Sequence, residues 1–181
     1  MKSIYAYGLL ALTALLSFLT RCHGDDVVIG KFQGATYGDW KATGTAFNSG
    51  PASNALLTQL GIENSSGNAV ASSEIEGDKP TGTLTSPEFK IARKFISFRI
   101  AGGDYEHDTC LNLLINGKVV KSATGWRSDR LVPASWDVSR FLGQNAQIQI
   151  VDAASGDWGH INVDAIVQTD SPERLPVVTI T

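Results

Sequence analysis

The sequence predicts an all-β chain folded as an antiparallel β-sandwich. Three observations lead there. Helical periodicity is nearly absent beyond residue 25, and short runs of alternating apolar and polar residues recur instead, with Gly, Asn, Asp and Pro between them. An Asn-Gly pair also stands between two apolar runs, where a tight primed turn needs positive φ at both central residues. Many short strands divided by turn signals bury their apolar faces by packing as two sheets.

Val27 to Phe32 reads as the first strand. Residues 48 to 79 are polar and glycine-rich, and read as long loops with a brief helical or strand excursion around Ala55 to Ile62. Gly82 to Thr85 is a strand ended by Ser86-Pro87. In Phe95 to Ile100, Ile96, Phe98 and Ile100 share one face. Leu111 to Ile115, Asn116-Gly117 and Lys118 to Val120 form a hairpin. Ala146 to Val151 alternates cleanly. Ile161, Val163, Ala165 and Val167 alternate again and are expected to face inward, turning His160, Asn162 and Asp164 the other way. Trp40 and Trp136 read as core.

The chain of 181 residues is long enough for one domain with a sizeable core. Its 43% hydrophobic and 18% charged content fits neither a disordered chain nor a coiled coil. A net charge of -3 with no basic cluster argues against a nucleic-acid partner. Residues 1–24 read as a signal peptide: Lys2, an apolar run from Tyr5 to Leu19, and small Cys22 and Gly24 before the cut. A lipoprotein site at Cys22 is the rival, and Arg21 fits it poorly. The apolar run falls short of the roughly 20 residues of a membrane span. The expected location is secreted, periplasmic or cell-surface. Cleavage leaves Cys110 alone, either a small buried hydrophobe or, with an activating base beside it, a nucleophile. The domain is expected over residues 25–168. Residues 169–181, with Pro172 and Pro176, read as a linker or a truncated junction to a missing catalytic domain.

Three polar clusters invite chemistry. In the first, SGDWGHINVDAI, the strand reading puts His160 and Asp164 about 13 Å apart, too far to ligate one metal together. Asp157 and Trp158 lie in the loop before that strand, where Trp158 is either a lid on the sandwich or an exposed platform. His160 is either a hydrogen-bonded structural residue or part of a binding mouth. The second cluster, Asp104-Tyr105-Glu106-His107-Asp108, is a calcium-binding loop, a donor set for sugar hydroxyls or a solvated turn. In the third, Trp126 beside Arg127 suits a sugar, with the ring stacking on its face and the guanidinium donating to hydroxyls. A strand end with a charged rim is the alternative. The nucleophile elbow, the helical zinc motif and the phosphate and dinucleotide loops do not occur.

The blocks GTAFNSGPA, TGTLTSPEFKI, FRIAGGDYEHDTCLNLLINGKVVKSATG, SWDVSRFLGQNAQIQIVD and SGDWGHINVDAI occur in this order. Together they resemble the β-sandwich accessory domain found ahead of the catalytic propeller in bacterial levanases and related fructan hydrolases, glycoside hydrolase family 32. The resemblance spans about residues 27 to 168. It implies a galactose-binding-like jelly roll with a non-catalytic, carbohydrate-facing role, a fructan partner and a catalytic propeller following the linker. The propeller's nucleophile segment is missing here, so the resemblance assigns no catalytic residue. Gln33 follows Phe32 where related modules carry an acid, which puts a structural calcium in doubt. His107 matches a family histidine; Asp104, Glu106 and Asp108 depart from the pattern. The expected ligand-binding residues are Asp104, His107, Trp126, Arg127, Asp157, Trp158 and His160. A purely structural interdomain module and a fragment of a fructan hydrolase are the alternatives.

Overall fold

Two antiparallel sheets face each other across one core in the computed structural model, which describes residues 25–173. The 1–24 leader with Cys22, and the end of the 169–181 tail, lie outside the described residues. In chain order the strands are β1 (Val27–Gly30), β2 (Lys41–Gly44), β3 (Ala52–Ser53), β4 (Ala69–Ser72), β5 (Gly82–Thr85) and β6 (Phe89–Lys90). They continue with β7 (Phe95–Gly102), β8 (Thr109–Ile115), β9 (Lys118–Ala123), β10 (Ser128–Asp137), β11 (Asn145–Asp152) and β12 (Ile161–Thr169). One sheet runs β10-β7-β12-β4-β3, with β1 also on β12. The other runs β2-β5-β11-β8-β9, with β6 also on β11. The architecture is an antiparallel jelly-roll sandwich: the alternation predicts the sandwich, and the resemblance implies the jelly roll.

Alternation explains which side chains meet in the middle. Ile96, Phe98 and Ile100 of β7, with Ile161, Val163 and Ile166 of β12, face Leu111 and Leu113 of β8 and Ile148 and Ile150 of β11. Each such side chain contributes about 1.5–3 kcal/mol when fully buried. Trp136 closes this core with its ring 4.5 Å from that of Phe98. Trp40 is only half-buried and packs edge-on against Phe32 at 5.1 Å. The Asn116-Gly117 hairpin forms as expected, with φ of 50° and 71°. Pro133 sits within β10, a ten-residue strand absent from the sequence reading. It is tolerated there because β10 is a sheet edge, and no ladder bond is lost on its open side.

The last strand corrects the alternation argument. Its phase breaks at Ala165, where φ is 50° and the pairing register with β7 slips between Asp164 and Val167. A bulge adds one residue and swaps the faces beyond it. Ile166 therefore enters the core, and Ala165 and Val167 turn outward to line a surface cleft with Arg99.

The outer face of the β12 sheet is also covered, which a two-layer reading does not anticipate. Helix α1 (Asn54–Leu60) ends at Gly61, whose φ of 75° gives the left-handed cap, with the Ile62 amide donating to the Leu57 carbonyl. Leu57 and Ile62 pack on Val70, Ala101 and Leu131 as a second small core. Asn162 and Asp164, which alternation alone would have left in solvent, are also buried on this sheet, bonded to Glu74 and to the Ser66 loop. Strand β12 runs through Thr169, and the residues after it stay tied to the sandwich: Asp170 lies 3.8 Å from Arg93 and Glu173 2.9 Å from Arg99.

Candidate functional site

Three loops converge at one end of the sandwich: residues 103–108 between β7 and β8, 124–127 between β9 and β10, and 153–160 between β11 and β12. They approach backbone to backbone. The Gly103 amide donates to the His160 carbonyl at 2.8 Å, and the Gly125 amide to the Gly103 carbonyl at 2.7 Å. A side chain on Gly103 would overlap the Trp158 carbonyl, and one on Gly125 the Ala101 carbonyl. Only glycine permits that approach.

Tyr105 binds these loops into one surface. Its hydroxyl donates to the Asp157 carbonyl at 3.0 Å and accepts from Arg127 Nη2 at 3.1 Å. The Arg127 guanidinium also lies 5.4 Å from the centre of the Tyr105 ring. Beside them the Thr124 hydroxyl donates to Asp104 Oδ1 at 2.7 Å. Asp104, Arg127 and Asp157 are thus brought together, with His107 exposed on the same loop as Asp104. Sequence reasoning passed over Tyr105 and Thr124. Tyr105 stood in plain view within the acidic run, but a lone tyrosine carries no spacing signal.

Trp126 dominates this end. It is 74% exposed, and its φ is 65°, followed by 53° at Arg127. Bulky residues rarely occupy the left-handed region, and each instance costs of order 1–3 kcal/mol. The ring stands between two clefts of about 360 and 300 Å³. The first is mostly apolar, with Val132, Pro133 and Ala134; the second carries Glu106, Ser122 and Thr124.

His160 and Trp158 sit differently from the sequence expectation of a binding mouth. His160 is 5% exposed and lies below the surface. Its Nδ1 is 2.8 Å from Asp78 Oδ1, and its Nε2 is 3.6 Å from both Glu74 Oε2 and Asp129 Oδ1. The half-buried Trp158 ring rests over it, with centroids 5.6 Å apart, so Trp158 acts as a lid. Of the neighbouring acids, Glu74 is raised from the ordinary carboxylate range by burial, against the lowering effect of its hydrogen bond from Asn162. Burial pushes Asp152 up to about 6.

The chemical alternatives narrow accordingly. Asp164 accepts from the Ser66 amide and hydroxyl, each at 2.7 Å, and holds a loop rather than a metal. Among the described residues, the donor group within reach of one ion is Glu74, Asp129 and His160. Cys110 is buried and burial pushes its thiol up, the opposite of nucleophile activation. No helix among the described residues is long and apolar enough to cross a membrane.

No protein-family model matches the chain. A protein of Aspergillus rugulosus that carries the name of a glycosyl hydrolase, ecdE, is 40% identical over 127 residues, which is 70% of this chain and 18% of that protein. The chain therefore spans less than a fifth of the curated relative it matches. The K2 cleaved adhesin domain of Lys-gingipain superposes with a TM-score of 0.52 at 17% identity, covering 80% of this chain and 99% of that one. The K1 cleaved adhesin domain, from Porphyromonas gingivalis W83, gives 0.51 at 11% identity, with 82% and 99% covered. At such identities these adhesin domains share the sandwich fold with this chain.

Proposed function

We propose that this chain is a secreted, non-catalytic β-sandwich module that binds polysaccharide, specifically fructan of the levan type, as the accessory domain of a family 32 glycoside hydrolase. One observation carries the binding reading. Trp126 is held outside the core in a strained backbone conformation, between two clefts, beside Arg127 and Glu106. Strain kept at an exposed aromatic is accounted for by a ligand that uses the ring. A furanose or pyranose ring stacks its C–H face on the indole, and Arg127, Glu106 and Asp104 supply directional hydrogen bonds to hydroxyls.

The name of the Aspergillus relative supports a glycoside-hydrolase context. The ordered sequence blocks support the levanase family in particular. Hydrolysis in the parent protein falls to a propeller domain, and Asp104, His107, Trp126, Arg127 and Asp157 hold the polymer near it. Trp158 and His160 act from beneath, shaping the loop that presents Asp157.

Calorimetric titration of the chain with levan, inulin and an unrelated β-glucan tests the reading. Binding to levan, with the β-glucan silent, is the expected result. Binding to a different glycan alone would overturn the fructan assignment and keep the carbohydrate one. Silence across a broad glycan array would overturn both, leaving Trp126 as a contact to a neighbouring domain.

A further inference from the structure

The polar cluster beneath Trp158 gathers side-chain nitrogen and oxygen atoms around one point. Asp78 can only accept, so the hydrogen bond at 2.8 Å requires His160 to carry its proton on Nδ1. In the neutral ring Nε2 is then a bare lone pair. It has no hydrogen-bond partner, although His160 is 5% exposed. It points between two carboxylate oxygens, Glu74 Oε2 and Asp129 Oδ1, each 3.6 Å away, too far for a hydrogen bond. Asp129 Oδ1 is likewise buried and without a partner. Three candidate ligand atoms from three separate elements therefore face one point.

From this geometry we infer a binding site for a zinc-class divalent cation, ligated by His160 Nε2, Glu74 Oε2 and Asp129 Oδ1. All three atoms lie within 4.8 Å of one another. Tetrahedral zinc with ligands at about 2.0–2.1 Å sets neighbouring ligands about 3.3–3.4 Å apart, so the observed 3.6 Å separations need only a small contraction. The imidazole selects the metal: calcium and magnesium take oxygen donors, whereas zinc and its transition-metal neighbours accept nitrogen.

The surroundings fit the same assignment. Asp78 on Nδ1 forms the carboxylate–histidine pair that fixes the tautomer and makes the ligating nitrogen more basic. The Asn162 amide donates to Glu74 Oε2 at 3.2 Å and orients that carboxylate. Among the described residues, no lysine or arginine forms an ion pair with Glu74, Asp78 or Asp129, which leaves their charge for a cation to neutralise. The Asp129 side chain is 42% exposed, giving an entry path and a place for water as the fourth ligand. Bound there, the cation ties the segment after β4, the start of β10 and the entry to β12 into one unit. It leaves the Trp126 surface free, so the inference stands apart from the polysaccharide reading.

The test uses the purified chain stripped with a chelator, then titrated with Zn²⁺ by calorimetry and by thermal melting. One equivalent should bind and raise the melting temperature, with Ca²⁺ and Mg²⁺ giving no comparable shift. Asp129→Asn, at the most exposed ligand, should fold and weaken Zn²⁺ binding by about tenfold or more, as should Glu74→Gln. Asp104→Asn, in the acidic loop, should leave it unchanged. Retained affinity in both ligand variants would overturn the site, as would no Zn²⁺ response or a response to Ca²⁺ alone. So would a metal-free chain in which nitrogen-15 NMR shows His160 doubly protonated at neutral pH and unchanged by Zn²⁺, since an imidazolium would then fill the gap.

Discussion

The Tyr105 hydroxyl donates to the Asp157 carbonyl across 3.0 Å, joining two loops that lie 52 residues apart in the chain. The same oxygen receives Arg127, so one phenol sets the shape of the surface beside Trp126. Tyr105→Phe removes both bonds and keeps the ring. The expected loss of stability is about 1 kcal/mol, measured by urea unfolding. Glycan affinity should fall several-fold as Arg127 loses its anchor. Unchanged affinity would remove Tyr105 from the binding surface.

Trp126→Gly separates binding from folding. Glycine adopts the left-handed conformation without the roughly 1–2 kcal/mol that an L side chain spends there, although it adds entropy to the unfolded chain. Stability should hold or rise by up to about 1 kcal/mol while glycan binding is lost. A variant that melts well below the parent would make Trp126 a packing residue.

Asp164 reads in the sequence as facing away from the core, and in the fold it is fully buried. It accepts from the Ser66 amide, the Ser66 hydroxyl and the Ala165 amide. Asp164→Ala should cost about 3 kcal/mol in urea unfolding, because it strands these donors in a closed site. Faster amide exchange should appear first around residues 64–67. A loss below about 1 kcal/mol would show that the loop closes without it.

Asp152 makes stability depend on pH. It is 1% exposed. Burial raises it from 3.8 to about 6, against the lowering effect of hydrogen bonds from Ser73 and the Ala154 amide. Between those values the folded chain holds a proton the unfolded chain has lost, so stability falls as pH rises through that window. Above about pH 6 the full penalty applies. Asp152→Asn should therefore match the parent near pH 4 and exceed it by about 1–2 kcal/mol at pH 7, after allowing for solvent screening. Melting both proteins in chelator across pH 4–8 checks this; a constant difference would refute it.

Much of the framework was legible because it rests on local pattern. Ile96, Phe98 and Ile100 alternate, and Asn116-Gly117 can turn only one way. The Ala165 bulge was not legible: INVDAIVQ alternates well enough in either phase, and pairing with β7 and β1 decides where the extra residue falls. The excursion around Ala55 to Ile62 was legible as helix or strand, but its place on the sheet was not, for a related reason. Leu56, Leu57 and Leu60 form a short apolar patch in a polar stretch, and its partners Val70, Ala101 and Leu131 are far away in sequence.

The same division runs through the candidate site. Residue types and order alone determined the two-sheet sandwich, and singled out Trp126 and Arg127 as an aromatic beside a cation. Neither needs more than period-two patterning and side-chain chemistry. Tertiary structure decided that Trp126 stands out from the core while His160 lies beneath Trp158. It also gathered Glu74, Asp78 and Asp129 around that one imidazole. Extended chain geometry spreads His160, just before β12, and Asp164, within it, apart, whereas sheet pairing and loop closure bring in acids from elsewhere in the chain. Spacing along a strand describes neighbours on that strand, and the donors that matter here arrive from across the fold.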